Sequence, residues 1–334
     1  MKFISLILLS VVSGRQESSD NIFLFGENDI LHPGTAIKKI FSTLTPTAVP
    51  LIAKTFSFVP PVEKNPPVKV EAASIDEVKD NFINSYMPFC PAEKIAGKDC
   101  ICKETYPHVK YIEDKDTGTL VVVAVNKKYN QIVVSYRITA NLQNWLDNLN
   151  LQLVDVSEMP RGVRIHRGIY SNFVTSYVRT QDAVIELLDN KKYQNHTLFV
   201  TGYSLGAGLA QVSTPSWYNL LKNRNDTRTM KVISYANPRV GNGAFAKYMD
   251  SLNISITRYT TGTDIVPHVP GRKLGYVHAG AEVYGTNSKI GYFMRDCGQE
   301  FDEAPECILS AFGKRSPVDH AYPFGKFIPL PPYC

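Results

Sequence analysis

Hydrophobic positions along the chain switch repeatedly between a spacing of three to four residues and short continuous apolar runs. The spacing is typical of helices that pack one face on a core, and the β-branched and aromatic runs indicate strands. Ser74 and Glu77 predict the start of the first helix, with Ser74 as its N-cap. The predicted helices cover 75–86, 172–189 and about 205–222, and the predicted strands cover 109–113, 119–126, 131–137, 161–166, 198–200, 232–235 and 254–260.

The order of these elements predicts an α/β fold with a mostly parallel central sheet. The run at 131–137 is apolar enough for a strand that is buried on both faces. Because no internal repeat interrupts the pattern, we expect one domain over residues 71–334. Residues 15–70 lack periodicity and are rich in proline, which favours a propeptide or linker, with a small ordered extension as the alternative.

Residues 1–14 have the pattern of a secretory signal peptide. Lys2 supplies a positive start, an apolar stretch follows, and Ser13 and Gly14 are small enough for cleavage. A membrane anchor is the alternative, but this stretch is too short to cross a bilayer and no other segment is long enough. We therefore expect a secreted, extracellular protein without a transmembrane segment.

Cysteine usage agrees with export. The chain has 6 cysteines, all beyond residue 89, and this even number without any Cys-x-x-Cys favours disulfides over a zinc site. Sequons at Asn195, Asn225 and Asn253 are potential glycosylation sites in an exported protein. The net charge of +5 comes without a basic cluster, so the composition does not indicate a nucleic-acid partner.

The segment Gly202–Gly206, Gly-Tyr-Ser-Leu-Gly, has the pattern of a nucleophile elbow. An apolar run enters it and small apolar residues at helical spacing follow, which is the strand–turn–helix context that presents a reactive serine. Its two glycines lack a Cβ, so the strand and the helix can approach closely on either side of Ser204. An ordinary turn with a buried serine is the alternative, and we expect the nucleophile.

A serine nucleophile needs a base that takes its proton and an acid that orients the base. In this topology the acid and then the histidine follow the serine along the chain. Asp264 comes after a predicted strand, at the place expected for an active-site loop. His278 and His320 are both candidates for the base, and spacing does not choose between them. Other candidates are Asp250, Asp296, Asp302 and Asp319 for the acid, and His268, which belongs to the same loop as Asp264.

Residues 137–149 directly follow a predicted buried strand and have four apolar side chains on one helical face. A packed surface helix would show the same pattern, but this position also suits a mobile lid over an apolar substrate site. Thr139 and Leu205 would then offer N–H groups to an oxyanion. The apolar face consists of Leu142, Trp145, Leu146 and Leu149.

Taken in order, these motifs resemble the class 3 triacylglycerol lipases secreted by filamentous fungi, a family that also includes feruloyl esterases. The resemblance covers about residues 75–334 and depends on several separate motifs, so it is highly specific. The motifs are Tyr136-Arg137 with Asn144-Trp145, His166-Arg-Gly168, Thr201–Gly206, Asn237–Asn242, Asp264–Pro270, Gly275–Gly280 and Asp319-His320.

The resemblance implies an α/β-hydrolase fold with a short helical lid over about residues 140–151. It implies a serine ester hydrolase that needs no metal and no organic cofactor, and whose lid contacts a lipid–water interface. We expect a lipid or ester substrate and a monomer. The implied roles are nucleophile for Ser204, acid for Asp264, base for His320, and oxyanion donor for Thr139 and Leu205.

The resemblance also implies three disulfides, and the sequence departs from the family pattern at three positions. Tyr203 stands where histidine is usual, Ala207 where a further glycine is common, and Ile138 replaces a glycine that follows the arginine. Tyr203 and Ala207 supply no chemistry to the expected mechanism, so we expect activity to persist. The implied disulfides are Cys90–Cys334, Cys297–Cys307 and Cys100–Cys102.

A triacylglycerol lipase is the expected function, because the apolar face of the predicted lid, to which we also assign Leu151 and Leu153, suits lipid. A feruloyl esterase or a phospholipase A1 is the alternative on the same fold. A catalytically silent secreted binding protein is an alternative of another class. The sequence gives it no support, because every residue type of the triad is present at a suitable place.

Overall fold

An eight-stranded sheet forms the centre of the molecule. The structure is a computed structural model, and it describes residues 73–90, 106–138, 151–288, 291–298, 303–311, 319–321 and 323–325. In chain order the strands are β1 His108–Asp114, β2 Thr119–Asn126, β3 Gln131–Ile138, β4 Leu153–Asp155, β5 Arg164–His166, β6 Thr197–Tyr203, β7 Met230–Tyr235, β8 Gly241–Asn242, β9 Ser255–Thr261, β10 Tyr276–Val277, β11 Ala281–Ser288 and β12 Gly291–Gly298.

The large sheet has the order β1-β2-β3-β6-β7-β9-β11-β12. Its five central strands, from β3 to β11, are parallel, whereas β1 and β2 at one end and β12 at the other are antiparallel to their neighbours. The predicted α/β architecture is therefore confirmed. The predicted burial of the third strand is confirmed as well, since every residue from Gln131 to Tyr136 is buried.

Helices cover both faces of the sheet, and alternating strand residues enter two separate cores. Val121, Val123 and Val125 of β2 pack with the long helices, whereas Val122 and Ala124 pack on the opposite face. This alternation follows from the two-residue period of a strand. Among the residues that the structure describes, no helix is both long and apolar enough to cross a membrane. The helices are α1 Ile75–Asp80, α2 Phe82–Tyr86, α3 Arg167–Leu188, α4 Leu205–Asn223 and α5 Gly243–Ser251.

The first predicted helix is divided into α1 and α2. Ser74 caps α1 as predicted, because its Oγ accepts a hydrogen bond from Glu77 N at 3.1 Å. Asn81 separates the two helices: its Nδ2 donates to Glu77 O at 3.0 Å, and its Oδ1 accepts from Gln131 Nε2 at 2.8 Å. A side chain that bonds the backbone locally competes with continued helix.

Helix α3 begins at Arg167, earlier than the predicted start at residue 172. Its N-cap is His166, whose Nδ1 accepts a hydrogen bond from Ile169 N at 3.3 Å. Histidine is not among the common cap residues, so no local pattern marks the start of the helix at this position.

A second, four-stranded antiparallel sheet has the order β10-β8-β5-β4. The strand predicted at 161–166 forms only over Arg164–His166. The assignment of Leu153 to the apolar face of a lid was wrong, because this residue lies in β4 and pairs with His166. β4, the hairpin of β11 and β12 and helix α5 were not predicted, and β8 and β10 are too short to leave a periodic pattern.

One of the three implied disulfides is confirmed, since Cys297 on β12 is bonded to Cys307. Cys90 is disulfide-bonded too. The other three cysteines, Cys100, Cys102 and Cys334, lie outside the described residues. The expected pairs Cys90–Cys334 and Cys100–Cys102 therefore stay predictions. The expected signal peptide and the expected propeptide also lie outside the described residues.

Candidate active site

Ser204 lies on the sharp turn between β6 and α4. Its backbone has φ 57° and ψ −124°, a region that residues other than glycine seldom occupy. A strained serine between a strand and a helix is the geometry of a nucleophile elbow. The serine is half-buried and immediately precedes the amino terminus of α4, where the helix dipole favours negative charge.

Gly202 and Gly206 permit the close approach that the sequence predicted. A Cβ on Gly206 would lie 2.0 Å from Tyr136 O, and a Cβ on Gly202 would lie 2.4 Å from the carbonyl group of Gly206. Neither position has space for a side chain, because the neighbouring atoms belong to the backbone. The elbow therefore requires glycine at both positions.

Ser204, His320 and Asp264 form a continuous hydrogen-bonded chain. The distance from His320 Nε2 to Ser204 Oγ is 2.9 Å, and His320 Nδ1 lies 3.1 Å from Asp264 Oδ1 and 2.9 Å from Oδ2. Both the histidine and the aspartate are 0% exposed. Asp264 Oδ1 also accepts from Val266 N at 2.9 Å, which fixes the orientation of the carboxylate.

The other candidate groups lie in different environments. His278 is buried, with Nε2 at 2.8 Å from Pro267 O and Nδ1 at 3.5 Å from Asn237 Nδ2. Burial lowers the pKa of His278 well below its ordinary value, which favours a neutral, packed ring. Within the described residues, no group of three or more His, Cys, Asp or Glu side chains could hold a metal ion. Two other acid candidates accept hydrogen bonds from nearby backbone N–H groups, Asp319 from Thr263 and Asp296 from Gly298. Asp250 lies on α5, and His268 lies in the turn 266–268. Asp302 is outside the described residues.

Known proteins share this sequence pattern and this fold. Residues 133–274 match the family model for class 3 lipases. A lipase of Rhizomucor miehei is 30% identical over 233 residues, which cover 68% of this chain and 62% of that protein. The chain belongs to the class 3 lipase family.

Two further proteins extend the comparison. The structure of a triacylglycerol lipase whose catalytic centre is a serine-protease triad superimposes with a TM-score of 0.64 and 26% identity, over 77% of this chain and 97% of that chain. A phospholipase A1-II 1 of Oryza sativa is 28% identical over 179 residues, or 48% of this chain and 44% of that protein. The chain thus spans less than two thirds of the curated relatives that it matches. The predicted α/β-hydrolase fold is confirmed.

The expected oxyanion donors lie only in part within the described residues. Leu205 is the first residue of α4, so its N–H has no acceptor within the helix. Strand β3 ends beside the elbow, with Tyr136 paired to Gly202. Thr139 and the expected lid residues Leu142, Trp145, Leu146 and Leu149 lie outside the described residues.

A buried ion pair, which the sequence did not reveal, supports the loop that carries Asp264. Arg239 Nε and Nη2 lie 2.7 and 2.5 Å from the two carboxylate oxygens of Glu303, and Nη1 donates to His268 O at 2.7 Å and to Pro270 O at 3.0 Å. Burial raises the pKa of Glu303, but Arg239 outweighs this effect, and the pKa lies well below its ordinary value. The partners are 64 residues apart, so no local pattern connects them.

Tyr203 is the second residue whose role the sequence did not reveal. Its hydroxyl donates a hydrogen bond to the backbone carbonyl of His320, and the two rings are 5.2 Å apart between centroids. The departure from the family's usual histidine was the only signal in the sequence. The structure shows that this tyrosine contacts the segment that carries His320.

Proposed function

We propose that this member of the class 3 lipase family is a secreted serine ester hydrolase that cleaves triacylglycerols at a lipid–water interface. The observation that carries the proposal is the chain of hydrogen bonds from Ser204 through His320 to Asp264 at a strand–turn–helix elbow. Membership of the family supports ester hydrolysis. The pattern of a signal peptide supports secretion.

Each residue of the triad has a defined step. His320 Nε2 takes the proton of Ser204 as Oγ attacks the ester carbonyl, and Asp264 holds the ring tautomer and stabilises the imidazolium. The N–H of Leu205, together with that of Thr139, stabilises the oxyanion of the tetrahedral intermediate. His320 then gives its proton to the departing glycerol oxygen. Water, deprotonated by His320, attacks the acyl-enzyme and releases the fatty acid and free Ser204.

Lipid is the substrate class because the segment after β3 has an apolar face that a soluble ester would not require. Leu142, Trp145, Leu146 and Leu149 recur at helical spacing in a segment that otherwise is polar. A mobile helix with this pattern would cover the elbow in water and lie on the surface of an oil droplet with its apolar side.

The test compares tributyrin hydrolysis below and above its solubility limit, with methyl ferulate as a second substrate. We expect the rate to rise abruptly when droplets form, and ferulate turnover to be slow. Ser204→Ala lowers turnover on both esters by ~10³-fold or more, because the residue that forms the acyl-enzyme is lost. Good ferulate turnover without an interfacial rise would instead support a feruloyl esterase. Unchanged hydrolysis by the Ser204→Ala protein would remove the assignment of the nucleophile.

The similarity to a rice phospholipase A1 favours a second candidate substrate on the same site. Phosphatidylcholine vesicles and a triolein emulsion, assayed at equal surface area, separate the two. A higher rate of release of the sn-1 acyl chain from the vesicles would favour the phospholipase. If an organophosphonate fails to label Ser204 in folded protein, a silent binding protein becomes the better description.

A further inference from the structure

The segment that carries His320 is attached on both sides of that residue, to β9 and to the loop that follows it. Before His320, Asp319 Oδ2 accepts from Thr263 N at 2.5 Å and from Thr263 Oγ1 at 2.8 Å. After it, Phe324 N donates to Tyr259 Oη at 2.9 Å, and the two rings stack with centroids 4.4 Å apart. These contacts fix the two ends of the segment, and a further residue contacts the backbone of the histidine itself.

That residue is Tyr203, which immediately precedes the nucleophile. It is the last residue of β6, is 1% exposed, and donates its hydroxyl to His320 O while its ring packs beside the imidazole. Burial raises the pKa of Tyr203 well above its ordinary value, so the phenol keeps its proton and remains a donor at any working pH. The peptide bond between Tyr203 and Ser204 and the hydrogen bond from Tyr203 to His320 O therefore connect the nucleophile to the base.

We propose that Tyr203 is a positioning residue for the base, which holds the His320 backbone so that Nε2 stays 2.9 Å from Ser204 Oγ. The inference rests on the proposed function, because it assigns a role within that triad. A hydroxyl on a rigid aromatic ring of fixed length defines the distance from β6 to the His320 carbonyl. Proton transfer between serine and histidine depends steeply on their separation, so this contact controls turnover.

Tyr235 provides a matched control in the same apolar cluster. Its hydroxyl also donates to a backbone carbonyl, Val78 O at 2.6 Å, and its ring is buried next to Phe82 and Tyr259. Val78 lies on α1. The backbone carbonyl of Tyr235 accepts from Ser204 N at 2.9 Å, and a phenylalanine substitution leaves that bond in place. Loss of the Tyr235 hydroxyl removes its bond to Val78 O, whereas loss of the Tyr203 hydroxyl removes its contacts with the Tyr86 side chain and with His320 O. Of the two substitutions, only the one at Tyr203 removes a contact with the backbone of the histidine.

The experiment compares Tyr203→Phe with Tyr235→Phe on p-nitrophenyl butyrate, with active sites counted by titration. We expect kcat of Tyr203→Phe to fall about tenfold, with KM within about twofold, because a small displacement of a catalytic group has this scale of effect. The rate at which a phosphonate labels Ser204 falls by the same factor. Tyr235→Phe keeps the kcat of the unmodified enzyme, although the urea midpoint of both variants decreases.

An unchanged kcat for Tyr203→Phe, or an equal loss in both variants, would overturn the positioning role. Ser204→Ala separates this failure from failure of the proposed function, because an enzyme that retains activity without its serine would invalidate the triad itself. If Tyr203→Phe does not fold, position 203 is filled with 4-aminophenylalanine or 4-methylphenylalanine. The amine retains a donor and preserves kcat, whereas the methyl group fills the space without one and lowers kcat about tenfold. Equal rates with the two residues would contradict the proposal.

Discussion

At the residue scale, the strained backbone of Ser204 depends on atoms that surround it. A non-glycine residue at φ 57° costs about 1–3 kcal/mol and persists only where packing determines it. At this elbow β3 supplies much of the packing, because Gly206 of α4 lies directly on the backbone of Tyr136. The helix therefore starts at a fixed distance from the sheet, and so does the N–H of Leu205.

We predict that Gly206→Ala lowers both stability and activity by separating the helix from the sheet. Its Cβ would lie 2.0 Å from Tyr136 O, a backbone atom that cannot move without its strand. Overpacking of this severity costs about 3 kcal/mol or more, and displacement of the elbow by about 1 Å lowers turnover about 10²-fold. Urea denaturation and kcat on p-nitrophenyl butyrate measure the two effects.

Gly208→Ala is the control on the same helix. Its Cβ would lie 3.2 Å from the side-chain tips of Ile169 and Val240, which can adjust, and alanine favours helix by about 1 kcal/mol over glycine. We expect near-normal stability and turnover. A similar loss in both variants would show that α4 tolerates no added methyl group, rather than that the elbow has a special requirement.

Residues with a local signature were predictable, and those defined by distant contacts were not. Ser204 and its glycines are identified by five consecutive residues, and Asp264 by its position after a strand. Arg239 and Tyr203 contact partners 64 and 117 residues away, which no spacing rule reaches. The choice between His278 and His320 belongs to the second group. Spacing alone left it open, and the structure places His320 against Ser204.

At the element scale, the length of each helix or strand decided whether the sequence pattern could predict it. The long helices α3 and α4 and the strands of the parallel core agree with the sequence within a few residues, except for the start of α3. The four strands of the small sheet are two or three residues long, too short to show a period. Their pairing depends on tertiary contacts, and so does the division of the first helix at Asn81.

The start of α3 makes stability depend on pH. His166 caps the helix through Nδ1, which accepts from Ile169 N and must therefore be unprotonated. Burial lowers the pKa of His166 from 6.5 to about 4 in the folded protein. Between pH 6.5 and about pH 4, His166 binds a proton in the unfolded chain but stays neutral in the folded chain. Stability therefore decreases as the pH falls from 6.5 to about 4, and this contribution is constant below that range.

We predict that His166→Asn removes this part of the pH dependence. Asparagine keeps an acceptor at the N-cap but does not titrate. From pH 7 to pH 4, the free energy of unfolding should fall by about 3 kcal/mol more in the unmodified protein than in the variant. Urea denaturation at both pH values measures it. Other titrating groups contribute equally to both proteins, so parallel pH curves would refute the assignment.

At the scale of the whole molecule, the three sequons lie on one edge of the sheet. Asn195, Asn225 and Asn253 are exposed residues on the turns that lead into β6, β7 and β9. These strands are adjacent and parallel, so all three turns lie at their amino-terminal ends. Ser204 and Asp264 follow the opposite ends. The seven residues of β6 separate the two edges by roughly 20 Å.

We predict that glycans at these sites leave interfacial catalysis unchanged, because they point away from the face where lipid must reach Ser204. In protein secreted from a eukaryotic host, the intact mass falls after endoglycosidase treatment. Thr197→Val, Thr227→Ala and Ser255→Ala together remove the sequons. They keep Asn225 and Asn253, whose φ values of 53° and 55° suit asparagine.

The unglycosylated triple variant and the glycosylated protein should hydrolyse a triolein emulsion within about twofold of each other. A bulky carbohydrate near the interface would behave differently, because it would hold the oil surface away from the elbow while small soluble esters still entered. An increase in emulsion activity on removal of the sequons, with unchanged p-nitrophenyl butyrate turnover, would therefore mean that lipid approaches from the edge that carries the turns. Equal activities on both substrates would agree with a lipid-facing surface and a glycan-bearing surface at opposite ends of the same parallel strands.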